Sequence, residues 1–254
     1  MVLAAAATPS LADTLAANAS TASAQKGYAG ASFGSPLAFG MNFGAVSAGG
    51  YTQTQKGFAN LADASIGLTV GLGDPNRYVG VDASAVFATI LKSKGSSAGF
   101  GEVGSLSVKF SRNLDPATAV GFGINGVYFY GFTKELEQPV YFANGSHIFS
   151  VGSGEWRRPL VTNLGIVASG FEDSLNSRNK TIVRPFGSVA YYLYRQVSLI
   201  VDYNGRYGNA GLSIAPFARF PATVTLGAIN LNDNDGQGTQ FGVAVSIAGR
   251  FFNP

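Results

Sequence analysis

Along most of this chain, large apolar residues alternate with small or polar ones at a period of two. The runs are about ten residues long. A period of two places successive side chains on opposite faces of an extended backbone, so each run reads as a strand with two unlike faces. In 119–130, Val120, Phe122, Ile124, Tyr128 and Tyr130 share one parity, while Gly121, Gly123 and Asn125 share the other. In 66–72, Ile66, Leu68, Val70 and Leu72 oppose Gly67, Thr69 and Gly71. In 197–206, Val197, Leu199, Val201 and Tyr203 oppose Ser198, Asp202, Asn204 and Arg206. The same order recurs in 37–45, 79–91, 103–112, 160–169, 183–194, 212–220, 223–229 and 240–252. Two stretches, 27–55 and 116–133, carry no charge and are long enough to cross a bilayer as helices. Their alternate glycines argue against that, since each would weaken a helix by about 1 kcal/mol.

A soluble sandwich shows the same period, so composition has to decide which face is inside. Charged residues make up 12% of the chain, about half the share usual in soluble domains. The polar face is mostly Gly, Ser, Ala, Thr and Asn rather than Lys and Glu. The apolar face is large, uniform and edged with aromatic residues. In hydrocarbon every backbone amide must be paired within the protein, which only helices and closed sheets achieve. With no Cys and a single His, a disulfide framework, a thiol nucleophile and a multi-histidine metal site are all excluded.

The pattern resembles the bacterial outer-membrane β-barrels of the porin-like kind. The final strand carries much of the resemblance, because FGVAVSIAGRFF (241–252) alternates apolar residues and ends on an aromatic. Asn253 and Pro254 follow that aromatic, a departure from the family pattern. The resemblance implies an all-β, closed antiparallel transmembrane β-barrel. It also implies the outer membrane of a Gram-negative-type bacterium, a cyanobacterium included. Partners would be the lipid bilayer and small solutes or ions, with short turns in the periplasm and long loops outside. Turn formers mark the short connections at 73–76, 113–116, 194–196 and 220–222. Longer polar connections fall at 50–62, 92–98, 171–180 and 231–238.

Counting back from a periplasmic C-terminus, the strands at 118–131 and 159–170 both run upward. The segment 139–151, the least regular of the runs, must therefore run down between them; folded into the lumen as a loop instead, it would make the count about ten or fourteen. About twelve strands are expected: 37–49, 63–73, 78–91, 99–112, 117–131, 139–151, 159–170, 181–194, 197–207, 211–220, 222–231 and 239–252. Tyr28–Phe33 either extends the first strand past Pro36 or lies inside the periplasmic mouth. Barely a dozen residues would precede the first strand in the mature chain, so no plug domain is expected. Residues 1–24 read as a signal peptide, because Ala22-Ser23-Ala24 fits the small-x-small cleavage pattern and would leave Gln25 as the new terminus. Ser10-Leu11-Ala12 is a second candidate, and the usual basic start is missing. Residues 25–254 then form a single barrel domain.

Little catalytic chemistry is on offer. His147 is the sole histidine and reads as a rim or loop residue. Asn232-Asp233-Asn234-Asp235-Gly236 fails the EF-hand spacing, because position 1 falls on Leu231 and position 12 on Gly242. No enzyme activity, cofactor or metal site is expected. Basic residues are dispersed, with Arg157-Arg158 the one adjacent pair, so no nucleic-acid partner is expected. The functional signal lies on the inward parity, where Asp82, Lys109, Arg184, Asp202, Arg206, Arg219 and Arg250 would line the pore. Asp202 and Arg206, two inward steps apart, are a candidate ion pair. Twelve strands with small inward residues should leave a narrow water-filled channel. The basic excess would give a mild preference for small anions. A closed structural barrel that contacts partners through its loops is the alternative.

Overall fold

A computed structural model of the chain describes residues 28–54, 63–88, 101, 103–131, 138–153, 156–169, 182–233 and 238–251. The expected signal segment and most of the long connections lie outside the described residues. The strands are β1 (Ala45–Gln53), β2 (Asp63–Gly73), β3 (Gly80–Ala88), β4 (Val103–Asn113), β5 (Thr118–Tyr130) and β6 (Val140–Val151). They continue as β7 (Arg158–Ser169), β8 (Ile182–Tyr194), β9 (Val197–Tyr203), β10 (Gly208–Ile214), β11 (Ala222–Ile229) and β12 (Gln240–Arg250). Each strand pairs antiparallel with its sequence neighbour, and β1 pairs with β12, closing a barrel of twelve strands. The closing seam runs from Ala45 opposite Arg250 to Gln53 opposite Gly242. Closure leaves no open edge, so the ladder can meet lipid without unpaired amides.

Segment 139–151, needed to keep the strand directions alternating, is a regular strand. As β6 it pairs with β7 from Tyr141–Ala168 to Val151–Arg158 without a shift. The register slips at two places. Between β4 and β5, Ser107 faces the stretch between Ile124 and Tyr128, where the backbone N–H of Gly126 donates to Ser107 Oγ at 3.1 Å. The other slip lies between Tyr192 and Tyr194, next to the β8–β9 turn. Strand ends differ from the sequence reading chiefly at β1, β9 and β10. The first strand starts at Ala45 rather than 37, β9 stops at Tyr203, and β10 spans Gly208–Ile214.

The outer face is the apolar one. Leu68, Phe122, Leu199 and Val243 are exposed on it, while their neighbours Gly67, Asp82 and Ser246 are buried inside. Outside water such a surface is stable, whereas in water it would be far larger than any patch a soluble monomer carries. The inner wall is lined with hydroxyls that pair across strands. Thr69 Oγ1 lies 2.9 Å from Ser84 Oγ, Thr223 Oγ1 lies 2.7 Å from Ser246 Oγ, and Thr225 Oγ1 donates to Ser213 Oγ at 2.9 Å. Each pairing is worth about 1 kcal/mol net, and leaving it unmade in a dry interior would cost more.

Candidate functional site: the lumen and its amino-terminal strap

The lumen is occupied by the chain's own residues 28–42, which form no strand. Ala29, Ala31, Ser32, Phe33, Ser35, Leu37, Ala38, Phe39 and Met41 are all buried. This corrects two expectations, a first strand from 37 and small inward residues that leave only a water-filled channel, and of the two alternatives for Tyr28–Phe33 it is the interior one that holds. The physical reason is pairing. β12 ends at Arg250, opposite Ala45, so an earlier start to β1 would find no partner on that side. Lipid would leave those amides bare, whereas the polar inner wall supplies donors and acceptors for them. Pro36, which has no N–H to give a ladder, sits in the middle of this strap.

The strap enters at the rim of short turns, where Ala29 N–H donates to Arg195 O in the β8–β9 turn at 3.0 Å. It rises along β8, β9 and β10. Tyr192 OH donates to Ala29 O at 2.8 Å, Ser198 Oγ donates to Gly30 O, and Gly30 N–H donates to Ser213 Oγ at 2.8 Å. Its apex meets Asp202, near the far end of β9. The carboxylate accepts from Ser32 Oγ and from Ser35 N–H, each at 3.0 Å, from Ser35 Oγ, and from Asn209 Nδ2 at 3.2 Å. The strap then descends past β6 and β7. Pro36 O accepts from Asn144 Nδ2 at 2.7 Å and from Asn163 Nδ2 at 3.0 Å, while Ala38 N–H donates to Ser146 Oγ at 2.9 Å. Near the exit, Lys109 Nζ donates to Leu37 O at 3.1 Å and Phe39 O at 2.8 Å, and lies 2.9 Å from Asp82 Oδ2. Asp82 Oδ1 accepts from Met41 N–H at 2.9 Å. The backbone turns at Asn42–Ala45 and enters β1, with Phe43 N–H on Gly73 O and Gly44 N–H on Gly71 O.

Small wall residues make the recess in which the strap lies. A side chain at Gly71 would place its Cβ 2.5 Å from Asn42 O and 2.6 Å from Met41 Cβ. At Gly227 the Cβ would fall 2.6 Å from the ring of Phe33. Phe33 also meets Tyr51 on β1, with ring centroids 6.3 Å apart. Small inward residues, read from the sequence as room for water, are here room for the strap.

The seven residues expected to line the pore separate into two sets. Asp82, Lys109 and Asp202 point into the middle of the barrel and hold the strap. Asp202 is not committed to Arg206, the candidate partner. It is met by the four donors from the strap and Asn209. Arg184 lies on the inward parity of β8, half-buried toward the long-loop end. Arg206 lies in the β9–β10 connection, its guanidinium carbon 5.1 Å from the Tyr207 ring centroid. Arg219 lies in the β10–β11 connection and Arg250 closes β12 at the short-turn rim, both exposed. Sequence reasoning missed Asn144, Asn209, Ser146 and Tyr192 as functional positions. Parity alone marks such residues as inward. It was the uncharged, proline-interrupted stretch before Ala45 that could have pointed to something inside for them to bind. His147 faces outward near the short-turn rim, where Nδ1 lies 2.9 Å from Thr118 Oγ1.

No protein-family model matches the chain, and no curated protein matches it. Among solved structures it is similar to Pseudomonas putida OprB at high pH, with 9% identity, a TM-score of 0.39 and coverage of 81% of this chain and 93% of that one. OprB at low pH matches with 10% identity, a TM-score of 0.30 and coverage of 81% and 91%. The fold assignment rests on the closed strand register rather than on this likeness.

Proposed function

We propose that this protein is an outer-membrane channel for passive diffusion of small polar solutes or ions, with the amino-terminal strap as its constriction. One observation carries the reading. A separate segment of the chain runs through the middle of the barrel, packed against inward wall side chains such as Tyr51, Tyr192 and Ile200. A barrel built only as a scaffold closes with its own inward side chains, as those of eight strands do. Along much of the strap's path the wall keeps Ser, Thr and Asn inward, and these can hydrate if the strap withdraws. Withdrawal would leave Lys109 and Asp202 short of partners in a dry lumen, but water would replace those partners in a wet one.

The mild anion preference rests on the arginines. Asp82 and Lys109 form a neutral pair; Arg184 and Arg206 lie toward one mouth and Arg219 and Arg250 toward the other, so that the seven residues expected to line the pore hold five basic side chains and two acidic ones. Guanidinium groups stay charged at any working pH. Their field on passing ions is screened beyond about 10 Å at 0.1 M salt. The preference should therefore fade as salt rises, and replacing Arg206 and Arg219 with Ser should move the zero-current potential toward cations.

A closed structural barrel is the second reading, favoured by the burial of the strap from Ala29 to Phe39. Planar-bilayer recordings separate the two. If the barrel is a channel, deleting residues 28–40 raises single-channel conductance, and a synthetic peptide of those residues lowers it again. Wild type and deletion that are equally silent would make the barrel a scaffold.

A further inference from the structure

We propose that the lipid-facing surface across β4 to β8 holds a binding site for one anionic glycerophospholipid, with an acyl chain over Ala143 and Gly145 and the phosphate at Arg112. The barrel register brings two rows of outward residues together there. One row runs Phe110, Phe122, Ala143, Ile166 and Pro185, and the other runs Arg112, Val120, Gly145 and Leu164. In both rows β6 contributes the smallest side chain, between bulky ones on β5 and β7. Phe122, Leu164 and Ile166 stand 58%, 72% and 55% exposed around it. The result is an apolar groove of about 770 Å³, within the usual size of small-ligand sites. A straight hydrocarbon chain can fill such a trough. Left empty, the trough forfeits the dispersion contacts of its lining.

Charge selects the headgroup. Arg112 is the charged residue lining the groove, and its guanidinium is oriented by donating Nη1–H to Tyr78 O at 2.6 Å. It sits near the short-turn rim, where Arg77, Arg157, Arg158, Arg195, Arg219 and Arg250 also lie. Among the described residues the acids of that rim are Asp74, 3.7 Å from Arg77, and Asp115. Among the described residues this rim thus carries more arginines than acids at the depth where phosphate groups sit. Arginine suits phosphate because its planar fork can offer two parallel N–H donors.

Native mass spectrometry of the detergent-purified barrel, mixed with phosphatidylglycerol, phosphatidylethanolamine or phosphatidylcholine of matched chains, tests the site. Wild type should retain one phosphatidylglycerol with about fivefold preference over the zwitterionic lipids, as one well-placed arginine at the surface implies. Gly145→Phe should abolish retention, because a Cβ at Gly145 meets nothing nearer than Ala119 O at 3.8 Å and the new ring can fill the groove without displacing the wall. Arg112→Gln should remove the headgroup preference and leave weak, equal retention of all three lipids. Equal retention of all three lipids by wild type would overturn the proposal, as would full retention by Gly145→Phe. A wild type that pairs in detergent and becomes monomeric in Gly145→Phe would show the groove to be a barrel–barrel interface instead, which also overturns it. If Gly145→Phe does not assemble, Arg112→Gln decides alone, and an unchanged headgroup preference refutes the site.

Discussion

Lys109 donates to two strap carbonyls inside the barrel and sits 2.9 Å from Asp82 Oδ2 as its ion-pair partner. Replacing it with Met would leave Asp82 with the Met41 amide but no cation. Loss of one partner of a buried pair costs about 3–5 kcal/mol, so Lys109→Met should lower the urea midpoint of the barrel clearly. Adding Asp82→Leu should recover much of that loss, and a single variant as stable as wild type would show that the pair is wet. Asp115, in the β4–β5 turn, behaves differently because it is exposed. The Thr118 hydroxyl, then the Ala117 N–H at 2.7 Å, holds its carboxyl below the usual carboxylate range. Its contribution is therefore present above the unfolded value of about 3.9 and is lost as pH falls through the lower folded value. The difference in unfolding midpoint between wild type and Asp115→Asn should hold at neutral pH and shrink in acid. A difference that grows on acidification would reverse the assignment. Parity made Asp82, Lys109 and Asp202 legible as inward residues. Their partners were not legible, because Ser32, Ser35 and Met41 lie far away in sequence and on no strand.

At the scale of single elements, the strands and the strap obey different rules. On β9, Leu199 is 47% exposed on the face that meets lipid. Leu199→Arg should destabilise the barrel by about 2–4 kcal/mol if the site lies near the bilayer midplane, read as a lower unfolding midpoint in vesicles. A neutral effect would place Leu199 at an interface instead. The strap is held by hydrogen bonds and by Phe33, Leu37 and Phe39, but by no ladder. A side chain at Gly71 collides with Asn42 O and Met41 Cβ, so Gly71→Val should loosen the strap's exit and leave the wall intact. Limited proteolysis should then cut between residues 28 and 42 in the assembled barrel, where wild type resists. Equal resistance in both would mean that the strap adapts. The segment 37–45 alternates as cleanly as any strand, which is why it read as one. Alternation reports two unlike faces and is silent on whether a backbone partner exists.

For the molecule as a whole, export and closure are separate questions. Ala22-Ser23-Ala24 argues for cleavage before Gln25, and amino-terminal sequencing of membrane-extracted protein should start there. A chain beginning at Met1 would refute it. The number of strands, their directions and the lipid-facing parity were determined by local sequence alone, because a period of two, turn formers and aromatic ends act over a few residues. The even count then follows from alternation of direction, which explains how β6 was placed although its own pattern is weak. What fills the lumen was decided only by tertiary structure. The wall has small polar residues on many separate strands, and those residues suit water as well as a peptide. Only closure of β1 on β12 brings Ser198, Asn144, Lys109 and Asp202 around one axis. Once they converge, the unpaired amides of the chain's own first segment are the nearest groups able to satisfy them, and the strap folds inward rather than along the wall.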